Sequence, residues 1–144
     1  MKATVIGFLI CQLFTLSINA QNIVGNWKLT WILIEIDMAY SIVAPITLRI
    51  EENGKFSGNG GCNSFTGKYS FKKPKKMSKK PLKIRFSEIN VTKLPCENPS
   101  RTETVFLRSL NEANTVFILK EELVIESTKI GNMMNFVKSS KIVN

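Results

Sequence analysis

Histidine is absent from all 144 positions. Its absence removes the imidazole base on which Ser-His-Asp and Cys-His nucleophilic catalysis depends. Cysteine is scarce, at three residues. With no histidine to join them, so few thiols cannot complete a tetrahedral structural zinc site within one chain. Phosphate-cradling loops are missing too, because the glycine-rich stretch GNGGCNSFTGK lacks the spacing and the lysine-plus-hydroxyl ending of a P-loop. Long hydrophobic runs are few. The one from about Val5 to Leu16 is interrupted by Gly7, Cys11, Gln12 and Thr15, short of the roughly 18 apolar residues that a membrane span needs. Acidic residues are outnumbered, 11 against 20 Lys and Arg, for a net charge of +9. That surface favours anionic neighbours and says nothing about fold.

What is present begins with an address. Lys2 precedes the apolar run, and Ser17, Asn19 and Ala20 follow it, the order of a secretory signal peptide cleaved after Ala20. Cys11 would be the lipidated residue of a lipoprotein, but Ile10 stands where such a signal requires a small side chain. Residues 1–20 are therefore read as a leader and residues 21–144 as one mature domain with one core. Loss of Lys2 lowers the net charge to about +8. Cys62 and Cys96 remain, and an oxidising compartment lets a pair of thiols persist as a disulfide. They lack the C-x-x-C proximity of a redox-active pair, so a structural bridge is expected, stabilising by roughly 3 to 4 kcal/mol through loop closure.

The mature chain reads as mostly β. WKLTWILIEI (27–36) alternates and then becomes nearly continuously apolar, with Trp27, Leu29, Trp31 and Leu33 on one face. PITLRIE (45–51) alternates cleanly, and Glu52-Asn53-Gly54 supplies a hairpin turn into Lys55-Phe56-Ser57. The glycines around Cys62 and Asn63 predict positive φ, bulges or close backbone approach. Residues 68–71 and 82–86 read as strands flanking KKPKKMSKKP, whose prolines mark a loop, and 87–92 as extended. Ser100 to Glu103 fits a capping box, with Glu103 reaching back to the cap's own N–H. The spacing of Phe106, Leu110 and Ala113 predicts a helix from Arg101 to about Glu112. Residues 115–119, 121–126 and 133–137 read as three further strands.

Few groups suggest chemistry. Glu35 and Asp37 stand two apart, roughly 7 Å along a strand, a separation compatible with an inverting glycosidase; solvated acids are the commoner reason for such a pair. Trp27 and Trp31 fit a ligand cavity or, more often, a core. Lys72, Lys73, Lys75, Lys76, Lys79 and Lys80 form a basic cluster suited to an anionic membrane surface or polyanionic glycan. Without interleaved aromatics to stack bases it does not read as a nucleic-acid site, and solvated hairpin tips often look the same. Asn90-Val91-Thr92 is a glycosylation sequon.

The stretch from Gly54 to Tyr69, GKFSGNGGCNSFTGKY, resembles the signature of META domains, the HslJ-like family, in which a turn leads through G-N-x-G-C-N to an aromatic, a glycine and a tyrosine. Thr92 to Cys96 (TKLPC), the helix residues Glu103, Phe106, Leu107 and Leu110, Leu123, Met133 to Phe136 and the Trp27 to Leu29 start extend the likeness over about residues 24–137. The positions carrying it are Gly58, Gly61, Cys62, Asn63, Gly67, Tyr69, Cys96, Glu103, Phe106 and Leu110. The resemblance implies an α+β fold, mostly antiparallel β: a partly open, half-twisted β-barrel with one packed α-helix. That fold is similar to secretin pilot lipoproteins, whose cracked barrel holds a hydrophobic groove. Family members include exported or outer-membrane-associated bacterial proteins, one linked to heat induction and novobiocin resistance, and virulence proteins of kinetoplastid parasites. No catalytic residue, metal or cofactor follows from the resemblance. The expectation is a non-enzymatic, monomeric envelope protein whose partner is an envelope protein or an apolar ligand between helix and sheet. The alternatives are adhesion through the lysine hairpin and a hydrolase using Glu35 or Asp37.

Overall fold

The computed structural model describes residues 23–34, 38–40, 44–72, 81–96 and 101–140. Its strands are β1 (Gly25–Ile34), β2 (Met38–Tyr40), β3 (Thr47–Ile50), β4 (Lys55–Asn59), β5 (Ser64–Phe71) and β6 (Leu82–Val91). The helix α1 (Arg101–Asn111) follows, and then β7 (Thr115–Leu119), β8 (Glu122–Ser127) and β9 (Asn132–Lys138). All ladders are antiparallel, in the order β2-β1-β3-β4-β5-β6-β7-β8-β9, and β1 also pairs with β9.

That last pairing closes the sheet. The expected partly open barrel is instead a closed barrel of eight strands, with β2 as a flap on β1. Closure rests on the length of β1, whose Gly25 to Lys28 pair with β3 while Trp27 to Leu33 pair with β9. The thinnest seam is β6–β7, with two residue pairs, Leu82–Val116 and Lys83–Thr115. The helix enters the chain between these two strands and closes the same end of the barrel as the β4–β5 turn.

Alternation placed β3 correctly: Ile46, Leu48 and Ile50 are buried and Arg49 is exposed. The Glu52-Asn53-Gly54 turn also forms, with Gly54 at φ 79° and the Lys55 N–H donating to Asn53 Oδ1 at 3.0 Å. The glycine-rich region proved more regular than expected. β4 continues to Asn59 and β5 begins at Ser64. Gly58 and Gly67 sit inside these strands because a Cβ would overlap the Phe65 ring at the first and the Phe56 ring at the second. Residues 82–91 form one strand with a bulge, where Glu88 takes φ 53° and the register to β5 slips between Thr66 and Lys68.

In β1 the expected single face of Trp27, Leu29, Trp31 and Leu33 breaks midway. A bulge leaves Thr30 between the pairs Leu29–Phe136 and Trp31–Asn135. Its hydroxyl donates to the Asn135 carbonyl and accepts from Asn135 Nδ2, both at 2.9 Å. The extra residue reverses the alternation, so Ile32 enters the core and Trp31 turns outward, 38 % exposed. Trp27 fills the core, its indole N–H donating to the Ile23 carbonyl at 2.8 Å.

The interior is filled. Phe106 and Leu110 of α1 are fully buried, and Phe106 packs on Phe65 and Phe136 at ring separations of 5.4 and 6.4 Å. Where a hydrophobic groove was expected between helix and sheet, the helix packs its own Phe106 and Leu110 against the strands.

Candidate functional site

Of the residues carrying the sequence signature, Gly61, Cys62, Asn63, Cys96 and Glu103 meet at the helix end of the barrel. Asn59 to Asn63 turn the chain from β4 to β5, and Gly61, at φ 111°, adopts a conformation that side-chain-bearing residues rarely take. The Asn59 side chain accepts the Gly61 N–H at 2.7 Å, and the Gly60 N–H donates to the Asn63 carbonyl at 2.7 Å. These bonds leave the Cys62 and Asn63 N–H groups pointing at α1.

Glu103 receives them. Its Oε2 accepts from Cys62 N at 2.9 Å and from Asn63 N at 2.7 Å, while its Oε1 accepts from Asn63 Nδ2 at 2.8 Å. The carboxylate thus lies over the turn; the cap expected at Ser100 falls outside the described residues. Gly60 makes room for it, since a Cβ there would stand 2.9 Å from Glu103 Cγ and Oε2. Burial pushes the Glu103 carboxyl up, but the bonds from Asn63 and Cys62 outweigh it and hold the group below its ordinary value of 4.5.

Asn63 connects a third segment. Its Oδ1 accepts from Thr92 Oγ1 at 3.0 Å and from Leu94 N at 2.8 Å, and its Nδ2 lies 3.6 Å from Cys96 Sγ. Thr92 also closes on β5, its Oγ1 accepting from Ser64 N at 3.1 Å and its N–H donating to the Ser64 carbonyl at 3.0 Å. Cys62 and Cys96 are joined as a disulfide, with Cα atoms 6.1 Å apart, inside the range that a bridge requires. One amide side chain, one carboxylate and one disulfide therefore tie the β4–β5 turn, the segment after β6 and the first turn of α1.

The remaining signature residues lie apart from this tie. The Tyr69 hydroxyl donates to the Glu51 carbonyl at 2.7 Å toward the other end of the barrel, and its phenol is pushed up by burial and then by Glu52. At that end a cleft of about 510 Å³ opens among Gly25, Asn26, Arg49 and Glu51 to Asn53, remote from the tie. Of the basic cluster, Lys72 is exposed where its N–H closes the β5–β6 hairpin onto the Lys83 carbonyl at 2.9 Å. Lys73, Lys75, Lys76, Lys79 and Lys80 lie outside the described residues, as do Glu35 and Asp37. Among the described residues no three His, Cys, Asp or Glu side chains converge as a metal ion would need, and no helix is long and apolar enough to cross a membrane.

The META domain family model matches residues 21–141. The chain belongs to the META domain family. Two solved structures share its fold. A protein from Burkholderia xenovorans, determined by NMR, is 22 % identical with a TM-score of 0.63, covering 81 % of this chain and 83 % of that one. A DUF4847 family protein from Bacteroides vulgatus is 14 % identical with a TM-score of 0.55, covering 82 % and 94 %. No curated protein sequence matches significantly. In this META domain the sequence marked Gly60, Thr92 and Leu94 as parts of the glycine-rich stretch and of TKLPC, and gave no sign of their contacts with Glu103 and Asn63. Thr92 was visible as part of a sequon and as the start of TKLPC, and nothing in the spacing marks its hydroxyl or the Leu94 N–H as partners of Asn63.

Proposed function

We propose that this META domain is an exported, non-enzymatic protein of the cell envelope, acting by binding or in envelope stress tolerance. The observation carrying this reading is the saturation of Asn63 and Glu103. Each polar group of the Asn63 side chain and both Glu103 oxygens have partners within the chain, which suits a fold-holding tie better than a reactive centre. Export is supported by the leader-like residues 1–20, by the family match beginning at residue 21 and by a disulfide at the heart of the signature.

Expression in a secreting host tests it, by intact mass of the exported fraction. The expected species begins at Gln21 and is lighter by the two hydrogens lost on oxidation. A chain that keeps residues 1–20, or that carries two free thiols, contradicts the reading. A second reading, adhesion through the lysine hairpin, draws on the exposure of Phe71 beside Lys72. Vesicle co-sedimentation at low and high salt decides it, since a lysine-driven contact with anionic lipid weakens as salt rises.

A further inference from the structure

The exterior of the barrel is divided. On β3 to β6 the outward positions, among them Arg49, Ser57, Thr66, Lys68, Lys83 and Arg85, are polar, the alternation normal for an antiparallel sheet facing water. On the adjacent strands β1, β9, β8 and β7 the outward face instead carries Trp31, Leu33, Met133, Val137, Val124 and Phe117. None of the six belongs to the interior cluster or packs against it. Their inward neighbours Ile32, Met134, Phe136, Leu123, Ile125 and Val116 supply the core. Apolar side chains thus stand on both faces of these four strands, with Lys28, Asn135, Glu122 and Glu126 among them on the outward one, which explains why residues 31–34 read as a nearly continuous hydrophobic run.

The registers place these side chains together. Trp31, Asn135, Val124 and Phe117 form one row across the four strands, and Lys28, Val137, Glu122 and Leu119 form another. Val124 and Asn135 are each only 4 % exposed although they point away from the interior. Four strands about 4.8 Å apart and some six residues long give a sheet face of roughly 400 Å², on which Trp31 and Leu119 are the exposed large apolar side chains. A face of that extent fits within an interface burying about 800 Å² per partner, with apolar side chains at its centre and charges at its rim.

We infer that this face is a self-association surface, packing sheet on sheet against a second copy of the chain. The charges at its border choose that occupant. In the Lys28–Val137–Glu122 row a cation and an anion flank an apolar centre, and among the described residues no salt bridge engages either charge. A twofold axis lying in the face along β9 exchanges β1 with β8. It sets Lys28 over Glu122 of the partner subunit, with the exposed Trp31 on the same face. The surface is thus complementary to itself, as an isologous contact must be. Glu122 and Glu126 on the same face oppose an anionic bilayer.

Sedimentation of the chain purified from a secreting host, with circular dichroism to monitor folding, tests the inference. The wild type is expected at twice the monomer mass. Trp31→Glu is expected to be a folded monomer, because Trp31 is half-exposed and lies outside the core. Lys28→Glu and Glu122→Lys are each expected to weaken the dimer by about tenfold or more, and the double reversal to restore it. A monomer at every concentration overturns the inference. So does a dimer indifferent to Trp31→Glu, single reversals with no effect, or a monomer that binds vesicles through Trp31.

Discussion

Replacing Asn63 with aspartate exchanges one NH2 for an oxygen and leaves the shape of the tie intact. The new oxygen would face Glu103 Oε1 at the 2.8 Å now bridged by a hydrogen bond. Two full charges at that separation repel by about 6 kcal/mol at an effective dielectric of 20. Holding a proton on one carboxyl at pH 7 costs about 3.7 kcal/mol, from a free value near 4.3. Protonation is the cheaper course, so the introduced carboxylate and Glu103 share a proton, and the variant loses about 4 kcal/mol at pH 7. The native state then binds one more proton than the unfolded chain. Its deficit therefore shrinks as pH falls, by about 1.4 kcal/mol per unit, and nearly vanishes by about pH 4. The wild type runs the other way. With the Glu103 carboxyl held below 4.5, its contribution is present above that value and is lost as pH falls through the folded-state value. Urea unfolding from neutral to acid pH reads both slopes. The pair Asn63→Asp with Glu103→Gln restores a donor opposite an acceptor and should recover most of the loss with little pH dependence. An Asn63→Asp variant within about 1 kcal/mol of wild type at pH 7, or one whose deficit grows on acidification, would refute the geometry of the tie.

Reduction of the Cys62–Cys96 bridge, or its replacement by two alanines, should lower stability by roughly 3 to 4 kcal/mol, read as a fall in the urea midpoint; equal midpoints with and without reductant would contradict the bridge. Phe106→Ala should cost about 3 to 5 kcal/mol, because the ring is fully buried between Phe65 and Phe136, and a loss below about 1 kcal/mol would show that the helix does not plug the barrel. The Tyr69 phenol, raised above its ordinary value by burial and by Glu52, contributes stability that is present below the unfolded value. That stability is lost as pH rises through the folded value, so alkaline unfolding should be steeper in wild type than in Tyr69→Phe.

Much of the barrel was legible because one face of a strand was wet. In PITLRIE and in the Glu52-Asn53-Gly54 turn, local chemistry and tertiary structure agree, and both strand and turn fell where expected. The helix was equally plain, since Phe106 and Leu110 repeat at its period and are fully buried. Three features were hidden. The bulge at Thr30 is stabilised by Asn135, 105 positions away, so no local pattern could place Trp31 outside. Glu103 contacts a turn some 40 residues earlier, a partner that its capping-box spacing does not reveal. The outward apolar face was masked because a strand buried on both sides and a strand entering a core produce the same hydrophobic run. Of the signature, the glycines, Cys62 and Asn63 were visible as a group. Their relation to Glu103, Thr92 and Leu94 required the closed barrel.

The META signature holds the fold together by binding its own turn to α1. Amide hydrogen exchange of Cys62 and Asn63, resolved by NMR, tests it most directly. Both N–H groups are expected to exchange as slowly as the core strands, through global unfolding alone. Exchange at the rate of an open surface turn would contradict it.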